Sequence, residues 1–203
     1  LGQMLASVRS LDMAEVRTQQ GKLYMFVAID RTSKFAFVEL HENSRTATSR
    51  DFLLRLIEAV PYKIHTVLTD NSIQFTTPGG GSAVPLIKEA MANGVRFRAH
   101  AFAYACARND IDHRTTKPKH PWTDGQVERM NRTLKEATVK RFYYETHDQL
   151  REHLANFVAA YNFAKRLKTL KGLTPYEFIC KCWTKEPQRF TSNPHHQTTG
   201  PNI

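Results

Sequence analysis

Near the start of the chain, apolar and polar residues alternate with a period of two. From roughly the fortieth residue the period moves towards the 3.6 of a helix. Over Val8 to Val16 the alternation predicts a strand. Ser10, Asp12 and Ala14 share one face with Val8 and Val16, while Leu11 and Met13 take the other. Gln19-Gln20-Gly21 marks a turn. The run from Leu23 to Ile29 is apolar at both parities, as a strand buried on both faces should be, and it ends at Asp30. Asp30-Arg31-Thr32-Ser33-Lys34 reads as a polar hairpin turn, and Phe35 to Leu40 returns as a third strand. Such short connections make an antiparallel meander.

After Asn43-Ser44 the apolar positions fall at Phe52, Leu53, Leu56, Ile57 and Val60, one face of a helix that stops before Pro61. Ile64 to Leu68 is a short strand ending in Thr69-Asp70-Asn71. Reached through a crossover helix, it is expected to lie parallel to a neighbour. Gln74 to Gly81 is a loop; its three glycines lack the strand-to-helix setting of a phosphate-binding loop. Helices are predicted over about Ser82–Asn93 and His100–Asn109, followed by a short strand, Ile111–Arg114.

The stretch Lys117 to Glu136, KPKHPWTDGQVERMNRTLKE, begins as something other than a helix. Pro118 and Pro121 remove backbone donors and push the residues before them towards extended geometry. Thr123 can then cap a helix with Gln126 as the second half of a capping box, and good helix formers follow to about Tyr144. Glu128 therefore stands about one turn into a helix, with Arg132 and Lys135 on its face. A further helix is predicted from His147 to about Lys165, with Leu150, Leu154, Phe157, Val158 and Tyr161 on one side. A last one starts at Thr174 (cap) and Pro175 (first position). From Pro187 the chain is polar, and the domain reading is a core over 1–182 with a tail over 183–203.

The 203 residues suit one domain with a substantial core. The net charge is +10, from 29 Lys plus Arg against 19 acids, which favours a polyanionic partner, nucleic acid first. Cys106, Cys180 and Cys182 form no zinc-type pair of pairs and read as thiols in a reducing cytosol. No apolar run reaches the length of a membrane span and no signal-peptide core is visible, so the expectation is a cytoplasmic protein without a membrane partner.

Asp12 mid-strand, Asp70 at a strand end and Glu128 at a helix start can converge on one point. Two carboxylates about 4 Å apart repel by about 1 kcal/mol in water and about 4 at an effective dielectric of 20. A divalent cation with oxygen ligands resolves that repulsion, and two such ions can clamp the attacking and leaving oxygens of a phosphoryl transfer. Leu11-Asp12-Met13-Ala14-Glu15-Val16, Val67-Leu68-Thr69-Asp70-Asn71 and His120-Pro121-Trp122-Thr123-Asp124-Gly125-Gln126-Val127-Glu128-Arg129 together resemble the catalytic core of bacterial insertion-sequence transposases. These belong to the retroviral-integrase superfamily. Tyr161-Asn162 through Leu173-Thr174-Pro175 is similar as well, so the resemblance covers roughly residues 8–182.

The resemblance implies a ribonuclease-H-like α/β fold: a mixed sheet, with a three-stranded antiparallel meander and parallel strands, flanked by helices. It implies an acidic triad, Asp12, Asp70 and Glu128, binding two Mg2+ or Mn2+ ions for DNA strand cleavage and transfer. The implied partners are element ends and target DNA, with a homo-oligomer assembled on them. Lys117, Lys119, Arg129, Arg132 and Lys135 suit phosphate contacts. For Gln126, contact with the substrate and completion of the Thr123 cap stand as equal readings.

Two departures from the family pattern stand out. Ser72 occupies the place of a usual glycine after Asp-Asn, and no helix-turn-helix region fits before Val8. The second suggests a core fragment, an incomplete gene product or a separate DNA-binding partner. A ribonuclease acting on RNA–DNA hybrids and an inactive DNA-binding remnant are the alternative functions. Asp30 reads as a turn residue, Asp110 and Asp112 as capping or solvated acids, Trp122 as a packing anchor, and the pair His113 and His120 as a less fitting metal site than the oxygen triad.

Overall fold

The computed structural model describes residues 8–77, 82–116 and 125–196. Strand β1 (Val8–Thr18) pairs antiparallel with β2 (Gly21–Asp30), which pairs antiparallel with β3 (Ala36–His41). The chain then crosses through α1 (Thr46–Ala59) to β4 (Thr66–Thr69), parallel to β1, and through α2 (Val84–Ala92) and α3 (Ala101–Arg108) to β5 (Asp112–Thr115), parallel to β4. The sheet order is β3-β2-β1-β4-β5. Helices α4 (Gly125–Ala137), α5 (His147–Phe163) and α6 (Pro175–Lys185) complete the order. This is the mixed sheet flanked by helices that the residue pattern implies.

The alternation along β1 sorts its side chains into two cores. Leu11 joins Phe26, Phe52, Leu56, Phe75 and Phe102 on the face covered by α1 and α3. Val16 joins Leu23, Val127, Met130, Leu134, Leu150 and Leu154 on the face covered by α4 and α5. Each of these leucines is almost fully buried, and truncating one to alanine costs about 2–5 kcal/mol. Asp12 has the parity of Ala14 and Val16, so the pattern sets it on the α4 side.

At the edge of the first core lies a polar group that is almost fully buried. Arg9 Nη2 donates to Tyr62 Oη at 2.5 Å, and Tyr62 donates to Asp30 Oδ2 at 3.1 Å. The Arg9 guanidinium also sits 3.8 Å from that carboxylate oxygen. Asp30 Oδ1 accepts the backbone N–H groups of Thr32 at 2.8 Å and Ser33 at 2.7 Å, which bends the hairpin turn the sequence predicts. Lys34 closes that turn with φ at 63°, in the left-handed region.

One segment differs from expectation. Helix α4 stops at Ala137 rather than near Tyr144. Thr138 Oγ1 donates back to the Leu134 carbonyl at 2.6 Å, and Lys140 N reaches the Lys135 carbonyl, so the helical bonding winds off there. The chain then brings Tyr144 to the β1–β2 turn, where its carbonyl accepts from Gln19 N at 3.0 Å. A capping box between Thr146 and Gln149 opens α5.

The segment read as a tail from residue 183 is packed over its described part. Phe190 bridges Tyr62 in antiparallel fashion, stacks edge-on against Trp183 at 5.3 Å, and is followed by Thr191 and Ser192, whose N–H groups both reach the Pro61 carbonyl. One tryptophan and one phenylalanine supply the apolar area that the overall polarity of the segment conceals. Among the described residues no helix is long and apolar enough to cross a membrane.

Candidate active site

Parallel pairing of β1 with β4 matches Val8 with Thr66, Arg9 with Val67 and Ser10 with Leu68. Asp12 follows two residues after the last of these pairs on β1, and Asp70 is the first residue after β4. Asp12 takes the side of the sheet covered by α4, where Asn131 meets it.

Asp12 is half-buried. Its Oδ1 accepts the Met13 N–H at 2.7 Å, and its Oδ2 accepts the Asn131 side-chain amide at 2.5 Å. Asn131 lies three residues beyond Glu128, on the adjoining part of α4, and is 7% exposed. Its amide therefore ties the helix that carries Glu128 to the strand that carries Asp12. A charge-assisted bond of this kind contributes about 1.5–3 kcal/mol where it is sheltered from water. The sequence reading overlooked Asn131. Its only signal was its i+3 spacing from Glu128.

Asp70 is held by its own loop. Ser72 donates both its backbone N–H, at 3.2 Å, and its hydroxyl, at 2.5 Å, to Asp70 Oδ1. The residue standing in the glycine position thus supplies a second donor to the carboxylate. The loop is pinned on both sides. Asn71 Nδ2 donates to the Thr116 carbonyl at 2.9 Å, and Ser49 Oγ donates to the Gln74 carbonyl. His100 Nε2 donates to the Ile73 carbonyl at 3.0 Å, and Phe75 is fully buried between Phe26 and Phe102. Behind it, Thr69 Oγ1 meets His113 Nε2 at 2.9 Å. Burial, reinforced by the nearby His100 and only partly offset by Asp112, pushes the His113 imidazole down to about 4.

Glu128 stands in the first turn of α4, exposed to solvent. Arg129 and Arg132 are also exposed and Lys135 is half-buried. Gln126 accepts from Lys34 Nζ at 3.1 Å, linking the start of α4 to the β2–β3 turn. Burial pushes the Lys34 amine below the usual lysine range against the pull of Asp30, with Arg31 and Arg129 adding to the decrease. Lys117, Lys119, His120, Trp122 and the Thr123 cap lie outside the described residues. Asp110 pairs with Lys88 at 2.6 Å and Lys63 at 2.9 Å, and Asp112 with Arg114 at 2.7 Å, so both acids serve exposed ion pairs.

Among the described residues, no group of three His, Cys, Asp or Glu side chains stands close enough to hold a metal ion. Asp12, Asp70 and Glu128 are thus not drawn into one cage. Their donor chemistry, carboxylate oxygens alone, nevertheless fits a hard divalent cation such as Mg2+ or Mn2+.

A family model described as "Integrase core domain" matches residues 6–121, and a second with the same description matches residues 109–175. Among solved structures, the catalytic core domain of BIV integrase is similar with a TM-score of 0.63 at 19% identity, over 90% of this chain and 99% of that one. The HTLV-2 integrase catalytic core domain in complex with magnesium, in a trimeric form, gives 0.63 at 17% identity over 88% and 99%. A chain of the simian T-cell lymphotropic virus intasome, in complex with a PP2A regulatory subunit, gives 0.66 at 19% identity, covering 87% of this chain and 55% of that one. The uncharacterized protein K02A2.6 of Caenorhabditis elegans is 26% identical over 117 residues, which are 58% of this chain and 7% of that protein. The chain thus spans only a small part of that relative and about half of the intasome chain.

Proposed function

Since the chain belongs to the integrase core domain family, with the ribonuclease-H-like fold of that superfamily, we propose that it is a polynucleotidyl transferase that cleaves and joins DNA strands for an insertion element. The observation that supports this reading is the Asn131–Asp12 bond, which ties the helix carrying Glu128 to the strand carrying Asp12, with Asp70 directly after the strand that pairs parallel to β1.

Asp12, Asp70 and Glu128 are the residues that would hold two divalent ions. When bound, such ions supply Lewis-acid activation of the attacking oxygen and neutralise charge on the leaving one. The chain's own contribution is orientation. Asn131 fixes one oxygen of Asp12, and Ser72 fixes one oxygen of Asp70. Arg129, Arg132 and Lys135 on α4, with Lys117 and Lys119 before it, neutralise phosphates and set the DNA backbone relative to the carboxylates. Gln126 positions the start of α4 through Lys34.

The proposed partners are element-end and target DNA, a second copy of the chain on that DNA, and a helix-turn-helix region or protein that reads the ends. The magnesium, the trimeric form and the intasome named for the similar structures support this reading by analogy. The test is cleavage of labelled duplex DNA and of an RNA–DNA hybrid in Mg2+. Cleavage of duplex DNA that is lost in Glu128→Gln supports the proposal. A strong preference for the hybrid would instead make the chain a ribonuclease.

A further inference from the structure

The segment joining α2 to α3 forms a surface that the proposed chemistry leaves unused. Val95, Arg96, Phe97 and Arg98 are exposed in succession. Phe97, 39% exposed, lies 6.1 Å from the ring of Tyr104, 40% exposed on α3, with the two planes tilted by 46°. From Ser82 to Asn109 the single acid is Glu89, against Lys88, Arg96, Arg98 and Arg108. Lys88 is engaged by Asp110. Among the described residues no ion pair holds the three arginines.

His100 fixes where this surface lies. Its bond to the Ile73 carbonyl joins the segment to the loop that leaves Asp70 three residues earlier, and Ile73 itself is 66% exposed. Arginines without acid partners suit phosphates. Two half-exposed rings between them add something a duplex does not use, since paired bases keep their faces stacked. Unpaired bases can stack on such rings, and a guanidinium can follow the strand's backbone beside them.

We propose that Phe97 and Tyr104, flanked by Arg96 and Arg98, bind a single-stranded DNA segment next to the Asp70 loop. The inference rests on the reading of the chain as a DNA strand-transfer core. It adds that an unpaired stretch of the DNA, rather than duplex alone, is held beside the reacting strand.

The test is fluorescence anisotropy of the whole chain with a labelled oligonucleotide, single-stranded or as duplex of equal length. The variants are Phe97→Leu, Tyr104→Leu, their combination, Phe97→Tyr, and Arg96→Ala with Arg98→Ala. The double leucine variant should bind the single strand at least about tenfold more weakly and the duplex as before. Phe97→Tyr should bind the single strand like the parent, which separates loss of an aromatic face from loss of fold. The arginine pair should weaken single-strand binding with a smaller salt slope. Unchanged single-strand binding in the double variant, or equal losses for both DNAs, would overturn the proposal. So would a change of oligomeric state in sedimentation without a change in DNA binding, because the rings would then belong to a protein contact. None of these readouts requires cleavage. Single-strand binding lost in the double leucine variant while the parent fails to cut DNA would refute the catalytic reading and leave the platform standing.

Discussion

The side-chain amide of Asn131 on α4 donates to the Asp12 carboxylate on β1 at 2.5 Å, joining elements 119 residues apart in sequence. Leucine at this position matches the volume but removes the amide donor to the carboxylate. Asn131→Leu should therefore lower strand cleavage by about 10–100-fold, the range seen when a residue orienting a metal ligand is lost. The Mg2+ concentration for half-maximal activity should rise with it. A wild-type Mg2+ dependence would show that the bond is only structural.

Asp12→Asn, Asp70→Asn and Glu128→Gln should each abolish Mg2+-dependent cleavage while thermal melting shows an intact fold. Asp112→Asn should keep most activity, because Asp112 forms an exposed ion pair with Arg114. Equal losses at Asp112 and Asp70 would mean that the wrong acids have been chosen.

Asp30→Asn should act on stability instead. The change leaves Arg9 buried with its charge uncompensated, and breaking one partner of such a pair costs about 3–5 kcal/mol. Denaturant titration reads this directly. A loss below about 1 kcal/mol would show that Tyr62 alone satisfies the guanidinium.

His113 gives the chain a pH-dependent stability. Its folded-state value of about 4 lies below the ordinary 6.5, so the unfolded chain binds the extra proton first. Its contribution is complete above about pH 6.5 and declines as the pH falls towards 4, by at most about 3 kcal/mol. Unfolding curves at pH 7 and pH 4.5 should show the parent losing more stability than His113→Gln. Parallel losses would refute the assignment.

Much of this architecture was legible in the residues. The parity of Asp12, the both-face burial of Leu23–Ile29 and the capping pair at Thr174 follow from periodicity and local hydrogen bonding. The links between elements were not. Nothing local marks Asn131 as a partner of Asp12, Lys34 as a partner of Gln126, or Arg9 as a buried cation, because each bond depends on how two distant elements meet. The end of α4 was hidden for the same reason. Thr138 and Val139 after Ala137 are weak helix formers, and the back-bond of Thr138 to Leu134 together with the docking of Tyr144 on the β1–β2 turn ends the helix there.

DNA binding by α4 should be electrostatic and indifferent to sequence. Arg132→Ala and Lys135→Ala should each reduce the logarithmic salt slope by about 0.9 on duplex DNA, by equal amounts on unrelated sequences. Titrations at several salt concentrations measure it. An effect on one sequence only would mean that the side chain reads bases.

The fold-back of Phe190, Thr191 and Ser192 onto Pro61 and Tyr62 has a mechanical consequence. Pro61 stands nine residues before Asp70 on the path into β4, and Tyr176 on α6 donates to the Pro194 carbonyl, so tension applied after Pro194 is shared between α6 and this connection. A module fused beyond that point would be mounted on α6 as well as on the strand leading to a candidate catalytic carboxylate. It would turn with the sheet as a bracketed arm, where a loose tether would swing freely.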